Sequence, residues 1–128
     1  NDTDYEEVLV GWWKDWKWTA PVPAFLPDDG KGGIMVLDND MPVCAGFIYM
    51  TNSKVAWVDW IISNKDYKKK PNRQQAISLL IHTLTQIAKN ADNAFAYALL
   101  KHKGLIGVYE QEGYIAGDQY TKEMIKKL

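Results

Sequence analysis

A cluster of cations stands where the sequence predicts the start of a helix. The basic segment NKDYKKKPN, residues 64–72, separates an apolar run at 55–63 from a strongly periodic segment at 73–90. A strand that leads through a cationic loop onto a helix N-terminus is one way to hold phosphate groups. Tyr109, on a later helix, could then face the group that the phosphates carry, so this order indicates a cofactor with a nucleotide tail. The alternative is an ordinary solvated loop.

Composition narrows the classes of protein that fit. The 128 residues predict one domain, residues 1–128, that is long enough to bury a core. The formal net charge of −1 argues against a broad nucleic-acid face, so we do not expect nucleic acid as a partner. The single cysteine, Cys44, excludes an internal disulfide and a cysteine-based metal cluster, and we expect no metal. We see no membrane span and no signal peptide, and a cytoplasmic location fits.

Periodicity and turn residues predict the elements that must position these side chains. The first three strands have short links and should be antiparallel neighbours, whereas the helical link to the fourth strand is long enough for parallel pairing. The fold class is therefore α/β, a mixed sheet with helices on its faces. In chain order we predict a helix at 4–16, a loop at 19–33, strands at 34–37, 43–50 and 55–63, a helix at 73–90 capped by Asn72, a buried strand at 95–100, a helix at 103–111, and strands at 114–116 and 122–128.

Asp59 interrupts the apolar strand VAWVDWIIS. Aspartate is depleted in strands, which favours a functional role. Strand alternation predicts that Asp59 shares a face with Trp57 and Ile61. Two structural alternatives remain open, in which Asp59 pairs with Lys54 or faces water. Tyr109, taken alone on a short helix, is more often a packing residue.

The order of elements over residues 4–128 resembles the GNAT superfamily of acyl-CoA-dependent N-acyltransferases. The sharpest match is YEQEGY at 109–114, which is similar to the family's Tyr-Glu-Lys-x-Gly-Phe segment, and WVDWIISN at 57–64 resembles small phage and bacterial members. The resemblance implies a mostly antiparallel central sheet with one splayed parallel strand pair and helices on both faces. It also implies the cytosol of a bacterium or of a phage-infected host.

The resemblance further implies acetyl-CoA (coenzyme A) as co-substrate. The family's phosphate loop, Arg/Gln-x-x-Gly-x-Gly/Ala, falls on PNRQQA at 71–76, where Ala76 matches but Pro71 and Gln74 depart from the pattern. Lysine or arginine side chains nearby could supply the missing positive charge. His102 stands where the family often has asparagine. The residues expected to bind the cofactor are Ile61, Ile62, Ser63, Lys69, Lys70, Arg73, Gln74, Gln75, Ala76 and His102.

The mechanism implied by the resemblance is direct transfer of an acetyl group to a primary amine of a small molecule or peptide. Asp59 would take the amine proton, a backbone amide near Ile61 and Ile62 would stabilise the oxyanion, and Tyr109 would protonate or hydrogen-bond the departing thiolate. One alternative is a non-enzymatic CoA-binding or protein-interaction domain, which Pro71 and Gln74 motivate. Another is an acyl-CoA enzyme that modifies a nucleic-acid amine. A monomer and a homodimer both fit.

Overall fold

A computed structural model describes residues 3–67 and 70–128, with Lys70 given by its backbone only. A π-helical turn at Tyr5–Leu9 runs into helix α1, and two 3₁₀ turns occupy part of the proline-rich loop. The two helices that follow the first three strands are separated by one short strand. The elements are α1 (Val10–Asp15), the 3₁₀ turns Pro23–Phe25 and Pro27–Gly30, β1 (Gly33–Asp38), β2 (Met41–Tyr49), β3 (Val55–Ser63), α2 (Lys70–Asn90), β4 (Phe95–Tyr97) and α3 (Lys103–Gln111).

The described strands form one mixed sheet in the order β1-β2-β3-β4. β1 and β3 both pair with β2 in antiparallel fashion, and β4 pairs with β3 in parallel. Asn39 and Asp40 have positive φ and make the tight turn between β1 and β2, as their short polar side chains allow. The predicted α/β class and the mostly antiparallel sheet with one parallel pair are confirmed.

Helices cover the two faces of the sheet separately. The apolar stripe of α2, which includes Leu80, Ile81 and Leu84, is fully buried against one face together with α3. The other face is covered by Leu9, Trp12 and Trp13, the apolar stripe of the first helical segment. Both contacts follow from amphipathic helices that must bury one face. None of the helices in the described ranges is long and apolar enough to cross a membrane.

A bulge in β3 changes which side chains share a face. Trp60 has a φ of 56°, and neither Trp60 nor Ile61 has a register partner in β2. Asp59 lies opposite Phe47 on the α1 side, whereas Ile61 packs into the core on the α2 side. The prediction that Ile61 shares a face with Asp59 is therefore wrong, because the extra residue interrupts the strand alternation.

Three further predictions about the elements are wrong. β4 ends at Tyr97, and it is not buried, since Phe95 is 67% exposed on this last strand of the sheet. Helix α2 begins at Lys70, so Asn72 is not its N-cap and Pro71 lies in the first turn, a favoured place for proline. Neither predicted strand forms within 112–128, where the apolar residues from position 120 onward do not alternate as a strand requires.

Candidate active site

The parallel pairing of β3 with β4 stops partway along β3. The last register pair is Trp57 with Tyr97. Beyond this point side chains bridge the gap: the Tyr109 hydroxyl donates to the Val58 carbonyl at 2.7 Å, and the Leu99 amide donates to Asp59 Oδ2 at 3.2 Å. The two residues predicted to do chemistry therefore both form hydrogen bonds where this pairing stops, a place that we call the split.

Asp59 is held by backbone amides. Its Oδ1 accepts from the Trp60 amide at 2.9 Å, while Oδ2 faces Leu99 across the split. Burial raises the pKa of Asp59, although these two hydrogen bonds act in the opposite direction. The alternative of a pair with Lys54 is wrong, because Lys54 binds Asp92 at 2.7 Å. A half-buried carboxylate with a raised pKa is a better proton acceptor near neutral pH than an exposed one.

Tyr109 is placed by the short helix α3. The side chain is 2% exposed, and its ring packs edge-on against Tyr114 at 4.9 Å between centroids. Burial, with smaller contributions from the charge of Asp59 and from Tyr114, raises the pKa of the Tyr109 hydroxyl well above its usual value. The hydroxyl therefore stays protonated and acts as a donor. Gly113 follows with a φ of 96°, the left-handed conformation that ends a helix after the tyrosine.

The start of α2 carries the expected positive charge. Lys65 Nζ and the Arg73 guanidinium lie 5.2 and 5.8 Å from the centre of the Trp16 ring, and Trp16 Nε1 donates to the Ser63 carbonyl at 2.8 Å. These contacts tie the end of α1 to the end of β3 beside the helix start. This link was not predicted from the sequence. Lys69 and the side chain of Lys70 lie outside the described residues.

Solved structures with a similar fold include acetyltransferases. An aminoglycoside acetyltransferase from an uncultured soil metagenomic sample superposes with a TM-score of 0.64 at 10% identity, covering 98% of this chain and 93% of its own. Glucosamine-6-phosphate N-acetyltransferase from Arabidopsis thaliana gives 0.63 at 8% identity, covering 98% and 95%. The fold is that of the GNAT acetyltransferases. No protein-family model and no curated protein sequence matches the chain.

The start of α2 leaves few backbone amides free to bind an anion. Because α2 begins at Lys70, the amides of Gln74, Gln75 and Ala76 have carbonyl acceptors four residues earlier in the helix. The amide of Asn72 lies in the first turn, where helical N–H groups lack such acceptors, and Pro71 has no N–H. The side chains of Ile61 and Ile62 are buried in the core, so these two residues can offer only backbone groups.

His102 caps helix α3, a role that sequence analysis missed. Its Nδ1 accepts from the Leu105 amide at 3.3 Å, and Trp18 packs edge-on against the ring. The extended backbone of His102, with ψ at 120°, is the usual N-cap conformation. The cap holds the first turn of the helix that carries Tyr109. A cofactor contact by His102 remains a prediction.

We expect His102→Ala to lower the free energy of unfolding by about 1 kcal/mol, because the first turn of α3 loses its cap. His102→Asn should recover most of this loss, since asparagine also caps helices. Urea denaturation measures both values. His82→Ala is the matched control, because His82 is exposed and its Nδ1 lies 3.3 Å from a carboxylate oxygen of Glu112. Equal losses for His102→Ala and His102→Asn would contradict a capping role.

Other candidate places in the molecule lie apart from the split. A cavity of about 50 Å³ lies under the first helical segment, where Leu9, Ile34 and Phe47 form part of its wall. Cys44 is buried, and burial raises the pKa of its thiol to about 12, so the thiol is unreactive at neutral pH. Within 3–67 and 70–128 no group of three or more His, Cys, Asp or Glu side chains is arranged to hold a metal ion.

Proposed function

We propose that the protein is an N-acetyltransferase that moves an acetyl group from acetyl-CoA to a primary amine of a small molecule or peptide. The observation that carries the proposal is the meeting of Asp59 and Tyr109 at the split between β3 and β4. One side chain can accept a proton and the other can donate one. We expect the protein to act in the cytosol of a bacterium or of a phage-infected host, as a monomer or homodimer.

Each residue at the split has a distinct part in this reaction. Acetyl-CoA supplies the acetyl group as a reactive thioester. Asp59 takes the proton that the amine loses on attack, directly or through water. Ile61, which the bulge removes from pairing with β2, offers a backbone amide for the negative charge that develops on the carbonyl oxygen. Tyr109 turns its hydroxyl from the Val58 carbonyl to the departing sulfur.

The start of α2 fits the anionic part of acetyl-CoA. Arg73 and Lys65 lie over the Trp16 ring, beside the start of this helix. The amides of the first turn add the positive end of the helix dipole. We assign the phosphates to Arg73 with Lys69 and Lys70. Ser63, Gln74, Gln75, Ala76 and His102 would hold the rest of the cofactor. Charged side chains thus replace the glycine amides of the usual phosphate loop.

A second candidate function is a CoA-binding domain without catalysis. The observation in its favour is that both proposed catalytic groups are already engaged, Tyr109 with Val58 and Asp59 with two amides. Catalysis requires these hydrogen bonds to exchange when substrates enter. The two candidates agree on cofactor binding and differ in turnover.

Acetyl-CoA should stabilise the protein by about 2.7 kcal/mol at a concentration one hundred times its dissociation constant. Arg73→Ala should weaken the affinity about tenfold, because a charge-assisted contact to phosphate is lost. Thermal unfolding at several acetyl-CoA concentrations measures both effects. Lys89→Ala, at the other end of α2, is the control and should behave as wild type.

The absence of stabilisation at millimolar acetyl-CoA would contradict both candidate functions. Stabilisation without release of free thiol, across a panel of primary amines, would support the non-catalytic domain. Stabilisation with amine-dependent thiol release would support the acetyltransferase.

A further inference from the structure

Three aromatic side chains form a row across the α1 side of the sheet. Tyr49 lies directly opposite Trp57, and Trp57 lies directly opposite Tyr97, on the neighbouring strands β2, β3 and β4. Residues directly opposite each other project from the same face of a sheet. The Trp57 and Tyr97 rings meet edge-on with 4.6 Å between centroids. We call these three residues the aromatic row.

The aromatic row is partly exposed to solvent, and a hydrogen-bonded contact lies at each of its ends. Tyr97 is 37% exposed and Trp57 is partly exposed, because the first helical segment covers the neighbouring part of this face. At one end the Tyr49 hydroxyl donates to the Phe25 carbonyl of the proline-rich loop at 2.7 Å. At the other end the Tyr97 and Tyr120 hydroxyl oxygens lie 3.5 Å apart.

Negative charge lies at two places beside the aromatic row. Asp59 is two residues beyond Trp57 on the same strand, about 7 Å along it by the strand rise. Asp118, in the C-terminal segment, lies near the other end of the row. The pKa of the Tyr97 hydroxyl is raised, chiefly by its hydrogen bond with Tyr120 and also by the charge of Asp118. Aromatic faces and carboxylates together attract an organic cation.

We propose that the aromatic row binds the acceptor and selects a cationic primary amine that carries an aromatic or other flat apolar group on a short aliphatic chain. This inference rests on the proposed function, since it places the amine beside Asp59. The apolar group would lie on Trp57 and Tyr97, and the chain would span the distance to the carboxylate. A polyhydroxylated amine suits this surface poorly, because its hydroxyl groups would lose water without gaining partners.

Acetyl-CoA-dependent thiol release with matched amines tests the inference. Phenethylamine should give a kcat/KM at least tenfold above those of propylamine and glucosamine 6-phosphate, because only phenethylamine can stack on the row. Tyr97→Ala should remove most of this preference, and Trp57→Ala is the second variant. Since Tyr97 is partly exposed, its truncation should leave the core intact. Leu79→Ala, an exposed apolar residue on α2, is the matched control.

The outcomes separate this inference from the proposed function. Turnover without a preference for phenethylamine, or with a preference that survives Tyr97→Ala, overturns the aromatic row as acceptor site and leaves acetyl transfer standing. If no amine is turned over, the proposed function fails. Saturation-transfer NMR with phenethylamine then tests whether the aromatic row binds the amine. A signal on its ring protons that disappears in Tyr97→Ala supports the binding surface, and no signal overturns it.

Discussion

Asp59→Asn should lower kcat/KM for acetyl transfer by about a hundredfold or more, the usual contribution of a general base. Asparagine has nearly the same shape and can still accept one of the two backbone amides, but it cannot take a proton. Stabilisation by acetyl-CoA should remain close to wild type, because Asp59 lies at the split and not at the start of α2. Thiol release at saturating acetyl-CoA, with the amine varied, measures the loss.

The control for Asp59→Asn is Asp92→Asn, which removes an exposed carboxylate paired with Lys54. This variant should retain wild-type activity. The pH profile adds a second readout. Because burial raises the pKa of Asp59, wild-type activity should fall on the acid side at a higher pH than an ordinary carboxyl would give. If Asp59→Asn kept the wild-type kcat/KM, or if its activity still fell at acid pH as in wild type, Asp59 would not be the base.

The raised pKa of Asp59 also has a consequence for stability. The folded protein keeps this proton at a pH where the unfolded chain, with a carboxyl pKa of about 3.9, has lost it. The folded state therefore binds more protons, and the free energy of unfolding falls as the pH rises from about 4 through the raised pKa. Asp59→Asn lacks this contribution, so its stability relative to wild type should rise over the same window. Burial of this carboxylate thus costs stability, as a functional group can.

The sequence predicted the elements whose pattern is local. The stripe of α2 and the three antiparallel strands follow from periodicity and short links, and the bounds of α3 match the structure. The exposure of β4 could not be predicted, because it depends on which part of the sheet the first helix covers. The bulge at Trp60 was equally hidden, since a positive φ at tryptophan has no signal in the residues around it.

The candidate site was predictable to a similar extent. Asp59 and Tyr109 were identified because each is unusual in its segment or lies in a recognisable motif. Their meeting at the split depends on the parallel pairing of β3 with β4, which was expected from the length of the helical link. The contacts of Trp16 with Ser63 and Arg73 join residues far apart in sequence, so no local pattern could show them.

Tyr109→Phe should lower the free energy of unfolding and also kcat, through two separate effects. The Val58 carbonyl lies in the core and loses the hydroxyl that donates to it at 2.7 Å, which should reduce the free energy of unfolding by about 1–3 kcal/mol. The departing thiolate also loses its donor, and kcat should fall about tenfold or more while the affinity for acetyl-CoA stays near wild type. Urea denaturation and thiol release measure the two effects.

Tyr114→Phe is the matched control, because Tyr114 packs against Tyr109 but its hydroxyl contacts Thr85 at 2.7 Å. It removes a phenolic hydroxyl from the same aromatic pair without changing a group at the split, so kcat should be retained. If Tyr109→Phe lost stability and kept wild-type kcat, Tyr109 would be a structural bridge between α3 and β3, and acetyl transfer would depend on Asp59 alone. A fall in kcat that is specific to Tyr109→Phe would mean that the Tyr109 hydroxyl of the wild type leaves the Val58 carbonyl during turnover. A hydroxyl that stays bonded to this carbonyl cannot donate to the sulfur.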